Sequence, residues 1–148
     1  MSITTEVIHT MQKAPNFELF HIQSEEKFEL NKNLGQVVVL TFWTSWCPDC
    51  GTDLPKKEQL YQNIDPNKVA MITINVSGRE RHDVAGIEFA NKFLTQPTLV
   101  DQGVSTYQLY EAQGVPTTVI INQEGYITHQ FGDQSSFYDI VRALGTLI

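Results

Sequence analysis

Hydrophobic positions along this chain change period from segment to segment, and the changes mark out its elements. Val37-Val38-Val39-Leu40-Thr41-Phe42-Trp43 is almost continuously apolar, β-branched and aromatic, the pattern of a parallel strand buried on both faces. Residues 69–76 repeat it. Phe17–Ile22 and Lys27–Leu30 alternate around a polar turn, which predicts an N-terminal β-hairpin. Thr98–Val100 is a short strand, and Thr117–Ile121 and Tyr126–Phe131 flank Asn122-Gln123-Glu124-Gly125, a second hairpin signal. Helical spacing appears in Leu54, Leu60, Tyr61 and Ile64, in Val84, Ile87, Ala90 and Leu94, over 104–111, and in Phe137, Ile140, Val141, Leu144 and Ile148. Pro55 falls inside the first helix and predicts a kink there. Residues 1–13 read as an arm or a short amphipathic helix, and 14–148 as one domain. The order β-α-β-α-β-α-β-β-α defines an α/β sheet with helices on both faces.

Composition narrows the function. A length of 148 residues with 41% apolar and 18% charged residues suits a single globular domain. A net charge of −7 argues against nucleic acid or an anionic membrane as a partner. No apolar run reaches the length of a membrane span. The first residues show no basic or apolar signal region, so the expectation is a cytoplasmic protein. An anchor replaced by Met1 would make it extracytoplasmic.

The chemistry concentrates where the first long strand hands over to a helix. The only two cysteines, Cys47 and Cys50, lie there in Cys47-Pro48-Asp49-Cys50. The first would sit at a helix N-terminus, where free N–H groups and the positive dipole end favour an anion, and the thiolate is the nucleophile. The second lies one turn on, in reach of a mixed disulfide. The Cys50 N–H is expected to donate to the Cys47 sulfur. Pro48 suits the first helical position because its missing N–H costs least there. Asp49 opposes an extreme thiolate, which favours a reductant over a strong oxidant. Asp53 falls on the same helix face as Cys50 and is a candidate to take its proton. The four histidines are scattered, two cysteines fall short of an iron–sulfur set, and no metal-ligand spacing or cofactor motif appears.

Phe42-Trp43-x-x-Trp46-Cys47-x-x-Cys50 resembles the active-site segment of the thioredoxin superfamily, and of its TlpA/ResA-like thiol-disulfide oxidoreductases in particular. Ala14-Pro15-Asn16-Phe17, Asp53-Leu54-Pro55 and Gly114-Val115-Pro116-Thr117 are similar to that group's opening, acidic position and cis-proline loop. The resemblance implies a thioredoxin-like fold with a central mixed sheet, and the helix at 83–94 is an insertion that the group also carries. It further implies a Cys47–Cys50 dithiol exchanging with protein disulfides or dithiols. A cis Pro116 would present the Val115 backbone to an extended substrate, and Trp46, Pro48 and Asp49 would line the approach. Position 41 is threonine where classical thioredoxins carry an aspartate, which leaves Asp53 as the carboxylate. The electron donor would be a thioredoxin reductase or a membrane thiol relay, and the protein would act as a monomer. Two rival functions share parts of the pattern. Thr44-x-x-Cys47 echoes the peroxiredoxins, although the proline expected seven residues before the cysteine is Leu40. A thiolate pair could also hold Cu(I), although the spacing is one residue short of the usual copper motif.

Overall fold

The computed structural model describes residues 12–148. Eight strands form one mixed sheet: β1 (Gln12–Lys13), β2 (Glu18–His21), β3 (Lys27–Glu29), β4 (Val37–Trp43), β5 (Val69–Asn75), β6 (Thr98–Val100), β7 (Thr117–Ile121) and β8 (Tyr126–Phe131). Their spatial order is β1-β8-β7-β4-β5-β6-β2-β3. Among the described residues four α-helices connect or close it: α1 (Pro48–Asn63), α2 (Ala85–Phe93), α3 (Ser105–Leu109) and α4 (Phe137–Gly145). Each long element lies where the hydrophobic period places it.

Strand β4 is the axis. All seven of its residues are buried, because it is paired on both edges and covered on both faces. It runs parallel to β5, with Trp43 opposite Asn75, and antiparallel to β7, with Phe42 opposite Thr117. Side chains alternate between two cores. Val38, Leu40 and Phe42 join Leu54, Ile74, Ala90, Leu99 and Tyr107 in one, and Val37 and Val39 join Met71, Ile120, Ile140 and Leu144 in the other. The α4 helix begins at a capping serine, Ser136, which accepts from the Asp139 N–H at 3.2 Å.

Both expected hairpins form. In the turn between β7 and β8, Asn122 Oδ1 accepts from the N–H groups of Glu124 and Tyr126, and Gly125 takes φ +93°. The N-terminal expectation needs correction. Residues 1–11 lie outside the described residues, but Gln12 and Lys13 are not arm or helix. They form β1 and pair with Ile127 and Tyr126, extending the sheet along the β8 edge. Two residues are too few to show a period, so the pairing leaves no trace in the hydrophobic pattern. Helix α1 continues across Pro55, which removes one donor without ending it.

Candidate active site

The carboxyl end of β4 delivers the chain directly to the N-terminus of α1. Cys47 is the N-cap residue, in extended conformation, and Pro48 occupies the first helical position. The cap is a sulfur: Cys47 Sγ accepts the N–H of Cys50 at 3.2 Å. Its own S–H donates to the carbonyl of Val115 at 3.4 Å. Val115 leads into a cis peptide bond to Pro116, in the loop before β7. The two cysteines are free thiols and both are buried, Cys47 at 7% and Cys50 at 0% exposure. Pro48 and Asp49 are exposed beside them.

The second thiol is hard to ionise. Burial pushes the Cys50 thiol far above its ordinary range, and the hydrogen bond to Cys47 and the charges of Cys47 and Asp53 push it further. A hydrogen bond from the Thr44 backbone acts the other way. Asp53 lies one turn along α1, half-buried, with Oδ2 2.8 Å from the ammonium of Lys57. Lys57 is fully buried and donates to Thr118 Oγ1 at 2.6 Å. Asp53, Lys57 and Thr118 thus link α1, one turn beyond Cys50, to β7.

Trp46 and Trp43 part ways. Trp43 is core, with Nε1 donating to Thr73 Oγ1 at 3.0 Å. Trp46 is half-buried and stands at the rim. Its Nε1 donates to the Arg79 carbonyl at 2.8 Å, and the Arg81 guanidinium lies 4.3 Å from its ring. Beneath it, the Glu80 carboxylate accepts from Ser45 N at 2.7 Å, Ser45 Oγ at 2.6 Å and Asn75 Nδ2 at 2.7 Å. The segment after β5 is therefore a clasp on the Ser45–Trp46 turn. A cleft of about 480 Å³ opens between α1 and α2, lined by Gly51, Leu54, Phe89 and Phe93 among others.

The structure brings together Cys47, Cys50, Asp53, Trp46, Pro48, Asp49, Val115 and Pro116, the residues expected from the sequence. Sequence reasoning missed Lys57, Glu58 and Glu80. Lys57 carried a weak signal, its position four residues after Asp53.

A dithiol capping a helix at the end of a central strand, facing a cis-proline loop, defines a thioredoxin-like redox scaffold. A thiol-disulfide isomerase from Corynebacterium glutamicum shares it, with a TM-score of 0.76, 26% identity, and coverage of 90% of this chain and 96% of that one. The chain belongs to the AhpC/TSA family, which it matches over residues 10–130. It is 31% identical over 117 residues to the thiol-disulfide oxidoreductase ResA of Halalkalibacterium halodurans, covering 78% of this chain and 64% of that protein. It is 33% identical over 118 residues to the thioredoxin-like protein YneN of Bacillus subtilis, covering 78% of this chain and 67% of that one. The chain thus spans about two thirds of the length of these curated relatives.

Proposed function

We propose that this protein is a thiol-disulfide oxidoreductase that exchanges its Cys47–Cys50 pair with disulfides or dithiols of protein substrates, acting as a reductant. The observation that carries the reading is the position of Cys47 Sγ. It caps α1, accepts the Cys50 N–H at 3.2 Å and reaches the Val115 carbonyl at 3.4 Å. Cys47 attacks a substrate sulfur and forms a mixed disulfide. Cys50 then attacks Cys47, the internal disulfide forms, and the substrate leaves reduced. The Val115 backbone offers an extended substrate a strand-like partner beside the sulfurs. Trp46 walls the approach, Pro48 and Asp49 present the exposed turn, and Asp53 accepts the Cys50 proton. Reduction of the resulting disulfide falls to a dithiol donor, such as a thioredoxin reductase or a membrane thiol relay.

One curated relative is named a thiol-disulfide oxidoreductase and the other a thioredoxin-like protein, which supports this reading over a peroxidase or a copper carrier. The adjacent second thiol supports it too: a pair one helical turn apart closes a disulfide without a large rearrangement. Incubating the Cys50→Ser protein with oxidised insulin tests the proposal. The expected product is a stable mixed disulfide through Cys47, visible by mass, while the wild type turns over in dithiothreitol. Rapid hydrogen peroxide consumption without insulin reduction would instead favour the peroxidase.

A further inference from the structure

A lysine ammonium lies sealed between α1 and β7. Lys57 has 0% exposure, and lysine is almost never fully buried unless it is paired. Stripping an ammonium of water costs several kcal/mol, so a position that needed only packing would be served better by leucine or methionine. The partners of Lys57 are specific. Nζ lies 2.8 Å from Asp53 Oδ2 and donates to Thr118 Oγ1 at 2.6 Å. Burial pushes its pKa below the usual lysine value, and the charges of Asp53 and then Cys50 push it back up. The titratable groups that face it are therefore Asp53 and Cys50, both from α1. Strand β7 contributes the neutral Thr118 hydroxyl, two residues after Pro116.

We propose that Lys57 is a positioning residue for the resolving step, in which it balances the one negative charge that passes from Asp53 to Cys50. This rests on the oxidoreductase reading. In the mixed disulfide, the Cys50 proton moves to the Asp53 carboxylate, and the negative charge moves from carboxylate to sulfur. The ammonium faces that charge throughout. The Cys50 thiolate attacks Cys47 Sγ; the Cys47–Cys50 bond forms and the bond from Cys47 to the substrate sulfur breaks. The substrate leaves as a thiolate and takes up the proton. The substrate disulfide is the oxidant and the protein dithiol is oxidised, so no further redox partner enters this step.

Stopped-flow reaction of the reduced protein with 5,5′-dithiobis(2-nitrobenzoate) separates the two events. The first thionitrobenzoate is released as Cys47 attacks, and the second as Cys50 resolves the mixed disulfide. The Lys57→Met protein is expected to slow the second phase about tenfold or more at pH 7 and to raise its pH midpoint by about one unit or more. The first phase should change less than about twofold, since Lys57 faces the second thiol. The Lys57→Gln protein keeps a donor for Thr118 but no charge, leaves Asp53 in place, and supplies the reading if the methionine variant fails to fold. Its second phase should be slow in the same way, and a second phase at the wild-type rate would overturn the inference. A second phase in Lys57→Met that matches the wild type in rate and pH midpoint would also overturn it. A wild type that releases only one equivalent would refute the dithiol exchange as well.

Discussion

Glu58 offers the sharpest test of how the redox helix is held. Its carboxylate, one residue beyond Lys57, is buried at 8% exposure and receives four donors from the segment before β6. Thr95 N reaches both oxygens at 3.0 Å, Thr95 Oγ1 donates at 2.7 Å, Gln96 N at 3.0 Å and Gln96 Nε2 at 2.9 Å. Burial pushes the carboxyl up, but the hydrogen bonds from Thr95 and Gln96 outweigh it and hold the group below its ordinary 4.5. Glu58→Gln keeps the shape, removes the charge and turns an NH2 toward donors. A hydrogen bond to a charged group contributes about 1.5–3 kcal/mol net, the bonds are not additive, and the amide keeps one acceptor. The expected cost is therefore about 2–4 kcal/mol, or roughly 6–15 °C in Tm for a domain of this size. Urea denaturation of both proteins at several pH values measures it. Because the folded-state value is depressed, the stabilisation is complete above the unfolded value and is lost as pH falls through the folded one. The difference between the proteins should be constant at neutral pH and shrink below about pH 4.5. A loss under about 0.5 kcal/mol at pH 7, or a difference that does not shrink in acid, would refute the reasoning.

Other perturbations probe the clasp on the active-site turn. Glu80→Ala leaves Ser45 N without its acceptor and Asn75 Nδ2 with only the Trp43 carbonyl, and should cost about 1–3 kcal/mol in urea denaturation and lower the rate of insulin reduction. An unchanged rate would mean that the clasp does not position Trp46. Gly86→Ala would drive a Cβ into the Asn75 side chain, which is tied to Glu80 and to the Trp43 carbonyl. It should destabilise by about 1–3 kcal/mol; a neutral effect would show that Asn75 yields freely.

The parts of this molecule that were legible in the sequence are those whose signal is local. Val37–Trp43 reads as a buried strand because both of its faces are covered, and the turn at Asn122–Gly125 reads as a hairpin because its geometry needs those residues. The dithiol site was legible because cap, proline and second thiol lie in one four-residue stretch. What escaped depends on distant segments. Lys57 and Glu58 are charged residues on a helix, and such residues ordinarily face water. Nothing near them shows that one faces Thr118 on β7 and the other Thr95 and Gln96. Arg79, Glu80 and Arg81 are charged loop residues, which ordinarily face water for the same reason. Glu80 and the Arg79 carbonyl accept from Ser45 and Trp46, and Arg81 lies over the Trp46 ring, all more than thirty residues earlier.

The measurement that bears most directly on the central claim is the equilibrium redox potential of the Cys47–Cys50 pair, by thiol trapping in graded dithiothreitol buffers. The expected result is one cooperative two-electron transition near or below about −250 mV, in the range of thioredoxin. A midpoint near about −150 mV would contradict the reducing role and point to an oxidant or isomerase. Failure to form an internal disulfide at any poise would contradict the dithiol mechanism itself.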